Sequence, residues 1–338
     1  MERTELSTLK KARFVERLTN GFHSSIIAGI GDDAAVIDRG ENLELLSQTL
    51  FMEGIDFDLS YTPLEHLGLK LVTAGVSNVA AMNGTAKYIT VGVALSARFS
   101  VEEAEALYSG VQRGCEIYGV ELIGGDTASS MTGMTLSVSV IGSVAKDRLC
   151  LRSGASQDEL ICYTGTLGGA YMGLKLLERE KRAGANAQSA REIFENHKFI
   201  LGRQLHPYAR VDIIEILEES DVVPTSMIDI TSGLASAVLS ICTASDVGAR
   251  IQLSRLPVSS EVQKMANELG ADPIVAMLNG GDDYELLFTL PVALHEKVNG
   301  LSDIHVVGFT TSKELGAAIV TPDGEAIGIS SPDFNPEQ

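Results

Sequence analysis

Three short segments of this sequence share one pattern, in which glycine runs directly into aspartate beside an apolar stretch. They are Gly31-Asp32-Asp33, Gly124-Gly125-Asp126 and Gly280-Gly281-Asp282-Asp283. Glycine lets the backbone turn tightly and approach a ligand, and aspartate supplies the hard oxygen ligands that suit magnesium. One such segment alone is more often a simple turn, because glycine and aspartate both favour turns. Three of them, each beside an apolar strand, predict loops that form a metal-bridged phosphate site.

The first part of the chain has the pattern of alternating strands and helices. Segments 62–65 and 100–103 both have the sequence of a capping box, so each should begin a helix. A sheet with helices on one face is the simplest assembly of these elements. The predicted strands are 34–37, 43–51, 88–97, 120–123 and 134–144, and the predicted helices are 10–20, 62–82 and 100–119.

The polar segment 146–157 predicts a linker, after which strands and helices begin afresh. With 338 residues, the chain is longer than one compact core usually serves. We therefore expect an α/β protein of two domains, residues 1–147 and 148–338. The predicted elements of the second domain are strands over 160–164 and 284–289, helices around 168–182, 188–201 and 208–219, and a strand-to-helix turn at 228–233.

Charge and cysteine content exclude several classes of partner. The 26 basic and 45 acidic residues give a formal charge of −19, which repels phosphate backbones and anionic lipid surfaces. We therefore expect no nucleic-acid partner, and an anionic substrate must be received by bound cations, backbone N–H groups or a few arginines. The four cysteines form no C-x-x-C pair, and no stretch approaches the ~18 apolar residues of a membrane span. These features favour a cytoplasmic protein that does not contact a membrane.

The sequence contains neither a P-loop nor the G-x-G-x-x-G fingerprint, so a nucleotide site here must be of another kind. An ordered set of segments instead resembles the thiamine-monophosphate kinase family along nearly the whole chain. The segments are Gly29-Ile30-Gly31-Asp32-Asp33-Ala34-Ala35, Glu53-Gly54, Ala80-Ala81-Met82, Ile123-Gly124-Gly125-Asp126-Thr127, Arg152-Ser153-Gly154-Ala155 and Gly280-Gly281-Asp282-Asp283-Tyr284-Glu285-Leu286.

The resemblance implies a fold and a reaction. The fold is that of the aminoimidazole ribonucleotide synthetase superfamily, with an N-terminal α/β domain that pairs across a homodimer and a C-terminal α/β domain. The active site would lie in the cleft between the two domains. The reaction is ATP-dependent phosphorylation of thiamine monophosphate to thiamine diphosphate, with several Mg²⁺ ions.

The resemblance also implies roles for particular residues, although it assigns no catalytic group. Position by position, the expected metal ligands are Asp33, Asp126 and Asp229. The expected ATP contacts are Gly125, Asp126, Arg152 and Thr231. Asp56 and Asp282 are expected near the thiamine moiety of the substrate, where the family usually has histidine and glutamate.

Three aspartates that hold magnesium in the family are replaced here by Thr49, Asn78 and Ser232. Phosphoryl transfer depends chiefly on positioning and on cations that neutralise the phosphate oxygens, so these replacements affect the main catalytic contribution. Three independent losses of ~1.4 kcal/mol would slow the reaction roughly a thousandfold, although such losses are not additive. The neutral side chains still offer an amide oxygen and two hydroxyls, which can coordinate more weakly.

Three functions remain open from the sequence. The first is a thiamine-monophosphate kinase weakened by its missing ligands, and the second is an inactive dimeric homologue with a binding or regulatory role. The third is a kinase of the same superfamily with another acceptor, suggested by Asp56 and by the absence of tryptophan.

Overall fold

The computed structural model describes residues 11–22, 26–184 and 193–331, which form two β-sheets flanked by helices. The mixed α/β class expected from the sequence is confirmed. We call residues 11–145 the N-terminal half and residues 159–331 the C-terminal half. In the N-terminal half the elements are α1 (Lys11–Thr19), β1 (Ala35–Asp38), β2 (Asn42–Met52), α2 (Leu64–Ala80), β3 (Thr85–Ser96), α3 (Val101–Tyr118), β4 (Glu121–Ser130) and β5 (Thr135–Ala145).

The N-terminal sheet has the strand order β1-β2-β5-β3-β4, and only the β3–β4 pair is parallel. Along β5 the buried residues Leu136, Val138 and Val140 alternate with half-buried neighbours, so one face of the sheet carries the core. α2 and α3 cover that face, as the sequence predicted.

Two glycines let α2 and α3 approach closely. A Cβ atom added at Gly110 would lie 1.9 Å from the carbonyl oxygen of Glu65, and one added at Gly68 would lie 2.1 Å from that of Leu107. Any side chain at either position would force the helices apart. The close contact fixes α2 between α3 and the sheet and leaves another face of α2 for the C-terminal half.

Two local predictions in this half are wrong. The segment Gly124-Gly125-Asp126 is not a loop, because β4 continues through it to Ser130 and pairs with β3. The segment 62–65 forms no capping box, since α2 begins after Pro63 without a side-chain cap. The second capping box is confirmed: Ser100 and Glu103 exchange hydrogen bonds of 2.8 and 3.2 Å.

The C-terminal sheet has the order β12-β11-β8-β10-β6-β9-β7. Alternate residues of β9 enter different cores: Leu287 packs with α7, whereas Leu286 and Phe288 pack with α6 and with the end of α2. The elements are β6 (Glu159–Thr164), α4 (Gly169–Ala183), α5 (Lys198–Leu205), α6 (Val211–Glu219), β7 (Ser226–Ile230), α7 (Leu234–Ser245), β8 (Val247–Gln252), α8 (Ser260–Leu269), α9 (Pro273–Asn279), β9 (Glu285–Pro291), α10 (His295–Val298), β10 (Ile304–Ser312), β11 (Ala317–Val320) and β12 (Ala326–Gly328).

The helices predicted around 168–182 and 208–219 are confirmed within a few residues. Part of the helix predicted over 188–201 lies outside the described residues. The end of the predicted range overlaps the start of α5, which continues to Leu205. Of the helices in the described ranges, none has both the length and the apolar character needed to cross a membrane.

Candidate active site

One face of α2 contacts the C-terminal half through three polar side chains. The ammonium group of Lys70 donates to the carboxylate of Asp282 at 2.8 Å, and the hydroxyl of Ser77 donates to that of Asp229 at 2.8 Å. Between them, Thr73 donates to a backbone carbonyl of the C-terminal half at 3.3 Å. Positions 70, 73 and 77 share a face at helical spacing, so this face lines the junction of the two halves.

At one end of this face lies a group of buried charges that we call the acidic centre, formed by Asp32, Asp33, Asp229 and Arg152. The guanidinium group of Arg152 binds both carboxylate oxygens of Asp33, with the Nε contact at 3.2 Å. The backbone N–H of Arg152 donates to Asp32 at 3.1 Å. The carboxylate of Asp229 is bonded to Ser77. The structure therefore brings together Asp33 and Asp229, which were expected to bind the metal, and Arg152, which was expected to contact ATP.

The acidic centre contains too little positive charge for its carboxylates. Burial, then repulsion from Asp33, raises the pKa of Asp229 to about 7. Burial also raises the pKa of Asp33, although the neighbouring Arg152 opposes the rise. A single guanidinium thus serves several buried acids, and an added cation would favour their ionised forms.

The neutral residues at the expected ligand positions do not all join this centre. Asn78 donates its amide hydrogen to the hydroxyl of Thr49 at 3.0 Å, so two of these positions are bonded to each other. Ser232 lies exposed in the turn between β7 and α7. Within the described residues, no three or more aspartate, glutamate, histidine or cysteine side chains are grouped to hold a metal ion.

Gly125 and Asp126 lie on β4, at the edge of the sheet opposite β1. The described contact of the Asp126 side chain is with the backbone N–H of Thr127, at 2.8 Å. Asp33 precedes β1, and four strand spacings of ~4.8 Å separate β1 from β4. Within one chain, Asp126 is therefore distant from the acidic centre.

The turn that carries Thr231 packs directly against the last glycine-aspartate segment. The backbone N–H of Asp282 donates to the carbonyl of Thr231 at 3.1 Å. Gly233 has a φ of +87°, and a Cβ atom there would lie 2.4 Å from the carbonyl oxygen of Gly280. Only glycine fits at this position. The close contact places the turn that follows Asp229 next to Asp282.

At the other end of the α2 face lies a cavity of about 690 Å³ between the two halves. Asp56 and Asp282, both expected near the substrate, line it together. The carboxylate of Asp56 accepts a hydrogen bond from the backbone N–H of Met52 at 2.7 Å. We call this space the acceptor cavity, and its further lining residues are Phe51, Gly54, Ile55, Phe57, Asp58, Tyr61, Thr62, Lys70, Leu174, Lys175, Glu178, Lys181, Arg182, Gln204 and Leu205.

Asp283 follows Asp282 directly in the sequence, but its carboxylate has a structural role. Its carboxylate is fully buried and accepts hydrogen bonds from the backbone N–H groups of Gly168 and Ala170, at 2.8 and 3.3 Å. These donors belong to the start of α4, so Asp283 fixes that end of the helix. Burial raises the pKa of Asp283 to about 6.

Two arginines surround Asp283 and its neighbour Glu285. Arg203 donates to Glu285 at 2.9 Å, and Arg210 donates to the other oxygen of Glu285 at 2.7 Å. Arg203 also donates to the backbone carbonyl of Asp283 at 3.0 Å. We call Asp283, Glu285, Arg203 and Arg210 the arginine network.

Two site residues escaped the sequence reasoning. Lys70 is a single lysine in a helix whose neighbouring residues Leu67 and Leu71 are fully buried, and a lone charge on an apolar helix face was the signal that could have identified it. Ser77 stands directly before Asn78 in the sequence and carries no signal of its own.

The chain is similar to known proteins along most of its length. Residues 31–144 match the family model described as AIR synthase related protein, N-terminal domain. The chain is 31% identical over 319 residues to thiamine-monophosphate kinase of Bacillus subtilis strain 168, covering 93% of this chain and 94% of that protein. It is 32% identical over 279 residues to thiamine-monophosphate kinase of Aquifex aeolicus strain VF5, covering 82% and 85%.

The similarity extends to solved structures. AaThiL complexed with AMPPCP and TMP superposes on this chain with a TM-score of 0.82 at 28% identity, and the match covers 97% of each chain. The crystal structure of thiamine monophosphate kinase from Aquifex aeolicus gives a TM-score of 0.79 at 29% identity, covering 96% of this chain and 100% of that one.

Proposed function

The chain belongs to the thiamine-monophosphate kinase family, and we propose that it transfers the γ-phosphoryl group of ATP to thiamine monophosphate, giving ADP and thiamine diphosphate. The observation that carries this proposal is the near-complete match to a structure that holds AMPPCP and TMP. It is supported by the acceptor cavity, which Asp56 and Asp282 both line at the opposite end of the α2 face from the acidic centre.

We assign the nucleotide end to the acidic centre and the adjacent turn. In the structure, Arg152 is ion-paired with Asp33. When ATP binds, a phosphate oxygen would replace Asp33 as the partner of Arg152. Thr231 lies in the turn that packs against Asp282, so it would contact the nucleotide next to the acceptor. Gly125 and Asp126 would bind the nucleotide, or a second ion, at a point separate from the Asp33–Asp229 pair of the same chain.

We propose the acidic centre as the site of a divalent cation such as Mg²⁺. The buried carboxylates of Asp33 and Asp229 have raised pKa values and share one guanidinium, so they would move together to hold the ion, with the hydroxyl of Ser77 beside Asp229. When bound, Mg²⁺ neutralises charge on the transferred phosphate. The neutral residues would weaken this binding relative to a full set of carboxylates.

We propose that the protein is a cytoplasmic homodimer. The uncovered face of the N-terminal sheet carries Leu46, Leu50 and Met52 of β2, which are 42%, 59% and 47% exposed. Large apolar side chains exposed together on one strand face are typical of an interface. All four cysteines are free thiols, which agrees with a reducing compartment. We also propose the domain boundary at residues 147 and 148, between the last strand of one sheet and the first of the other.

The direct test is to incubate the purified protein with MgATP and thiamine monophosphate and to separate the products by chromatography. We expect thiamine diphosphate and ADP in equal amounts, and much less of both from the Asp229→Asn variant. A wild-type protein that releases no more thiamine diphosphate than this variant contradicts the proposal. Hydrolysis of ATP without phosphorylated thiamine would instead indicate another acceptor.

One observation favours a second candidate, a non-catalytic homologue that retains the fold. The hydrogen bond between Asn78 and Thr49 satisfies two former ligand positions internally. For such a homologue, the triple variant with aspartate at Thr49, Asn78 and Ser232 should gain activity that the wild type lacks. Substantial wild-type turnover would exclude this candidate.

A further inference from the structure

Lys70 makes the most buried ionic contact between the two halves at the acceptor cavity. Its ammonium group donates to Asp282 at 2.8 Å and to the carbonyl oxygen of Gln204 at 3.2 Å. The side chain of Lys70 is only 5% exposed. Both partners belong to the C-terminal half, so one lysine of α2 fixes two points of the opposite wall.

The other ion pairs of the cavity differ from this one. Lys175 and Glu178 lie on the same helix, 3.1 Å apart, and their side chains are 39% and 36% exposed. The pair of Lys181 with Asp58 is likewise partly exposed on both sides. Solvated pairs of this kind rearrange at little cost, whereas a buried lysine that loses its partner is strongly disfavoured.

Asp282 is held in one orientation by its surroundings. Its φ is +62°, in the left-handed region. Its backbone N–H is bonded to Thr231, and one carboxylate oxygen is bonded to Lys70. The side chain remains 36% exposed, so part of the carboxylate is open to the cavity.

α2 also sets the distance between the cavity and the acidic centre. Ser77, which binds Asp229, follows Lys70 by seven residues, and this corresponds to about 10.5 Å along an α-helix. Because Gly68 and Gly110 lock α2 against α3, the helix acts as a rigid spacer between Asp282 and Asp229.

We propose that Lys70 is a positioning residue for acceptor binding. It orients the Asp282 carboxylate toward the positively charged ring of the acceptor and fixes that carboxylate relative to Asp229. This inference rests on the proposed function, because it takes thiamine monophosphate as the ligand of the cavity. It assigns Lys70 no contact with ATP.

The test compares Lys70→Met, Lys70→Arg and Asp282→Asn with the wild type. We expect Lys70→Met to raise the KM for thiamine monophosphate by about tenfold or more, with the KM for ATP and kcat within about twofold. Lys70→Arg retains the charge and should restore part of the loss. Asp282→Asn should resemble Lys70→Met, and the double variant should be no worse than the poorer single variant, because both remove one interaction.

The matched control is Lys146→Met, which removes a lysine–aspartate pair of the same 2.8 Å length at an exposed position away from the cavity. It should leave all three kinetic constants unchanged. An equal rise in the KM values of both substrates, or no rise in either, would overturn the inference. If Lys70→Met does not fold, Lys70→Gln decides in its place, because its amide can still donate hydrogen bonds but carries no charge; it should likewise raise the KM for thiamine monophosphate and leave the KM for ATP unchanged.

Calorimetric titration with thiamine monophosphate separates this inference from the proposed function. If the wild type binds thiamine monophosphate but does not phosphorylate it, the proposed function is wrong. The inference about Lys70 is then tested by whether Lys70→Met binds the ligand more weakly. Equal binding by wild type and variant removes only the inference. A wild type that neither binds nor phosphorylates thiamine monophosphate removes both.

Discussion

The acidic centre and the arginine network are both clusters of buried carboxylates, but their charges are balanced differently. In the arginine network, Asp283 and Glu285 face two arginines and two backbone N–H groups. In the acidic centre, Arg152 is the described cation in contact with Asp32 and Asp33, and Asp229 is bonded to a hydroxyl.

This difference separates a structural cluster from a binding site. Buried charges that are paired and hydrogen-bonded stabilise one arrangement and need no ligand. Carboxylates that share too little positive charge gain from an incoming cation. Removal of an arginine should therefore destabilise the first cluster, and removal of a carboxylate from the second should reduce activity more than stability.

The largest effect is expected in the arginine network. Arg210→Met removes one of the two arginines that pair with Glu285, whose side chain is only 2% exposed. Leaving a buried charge without its partner costs about 3–5 kcal/mol, so the free energy of unfolding in urea should fall by that amount. A fall below about 1 kcal/mol would mean that Arg203 alone balances Glu285.

The next effect is expected in the acidic centre. Asp229→Asn removes a proposed metal ligand and should lower kcat about a hundredfold. Its unfolding midpoint should stay the same or rise, because the substitution also removes a buried charge of raised pKa. Asp38→Asn, at an exposed pair, is the control and should not change kcat. Loss of stability together with activity would place Asp229 among the structural residues.

A smaller effect concerns the pH dependence of stability. The pKa of Asp283 in the folded protein is about 6, above the ordinary value of 3.8. Its contribution to stability is therefore complete below pH ~4 and is lost as the pH rises through about 6. Asp283→Asn cannot ionise, so it should reduce this downward slope, by at most ~1.4 kcal/mol per pH unit between pH 4 and 6. Parallel stability profiles of variant and wild type would contradict the assignment.

The smallest effect is expected far from both clusters. Lys146 and Asp38 form a pair whose side chains are 48% and 50% exposed. Such pairs contribute about 0–1 kcal/mol, so Lys146→Met should change the free energy of unfolding by less than about 1 kcal/mol. A larger loss would show that exposure is a poor guide to which pairs matter in this chain.

Much of the fold follows from local sequence. The alternation of apolar residues in β5 and the capping box at Ser100 are read from a few adjacent positions, because pleating and capping are local effects. The extent of β4 is not local. Its glycines disfavour a strand, yet the segment 124–126 pairs with β3 because a neighbouring strand offers its backbone hydrogen bonds.

The site was predicted in part. The acids Asp33, Asp229, Asp56 and Asp282 could be named from the ordered motifs, and the structure brings them to two adjacent places. The bond between Asn78 and Thr49 joins positions 29 residues apart, and no pattern in either segment indicates it. The sequence identifies which carboxylates are missing but not what their replacements contact.

The amino-acid sequence alone indicated the α/β class, the family and the residue types available for phosphate chemistry. It could not distinguish Asp282 from Asp283, which stand side by side in one motif. In the folded protein, Asp282 lies at an open cavity and binds a lysine 212 residues away, whereas Asp283 binds the backbone at the buried start of a helix. The physical reason is that the charge state and role of a carboxylate depend on burial and on neighbouring charges, and these neighbours are assembled only when the chain folds.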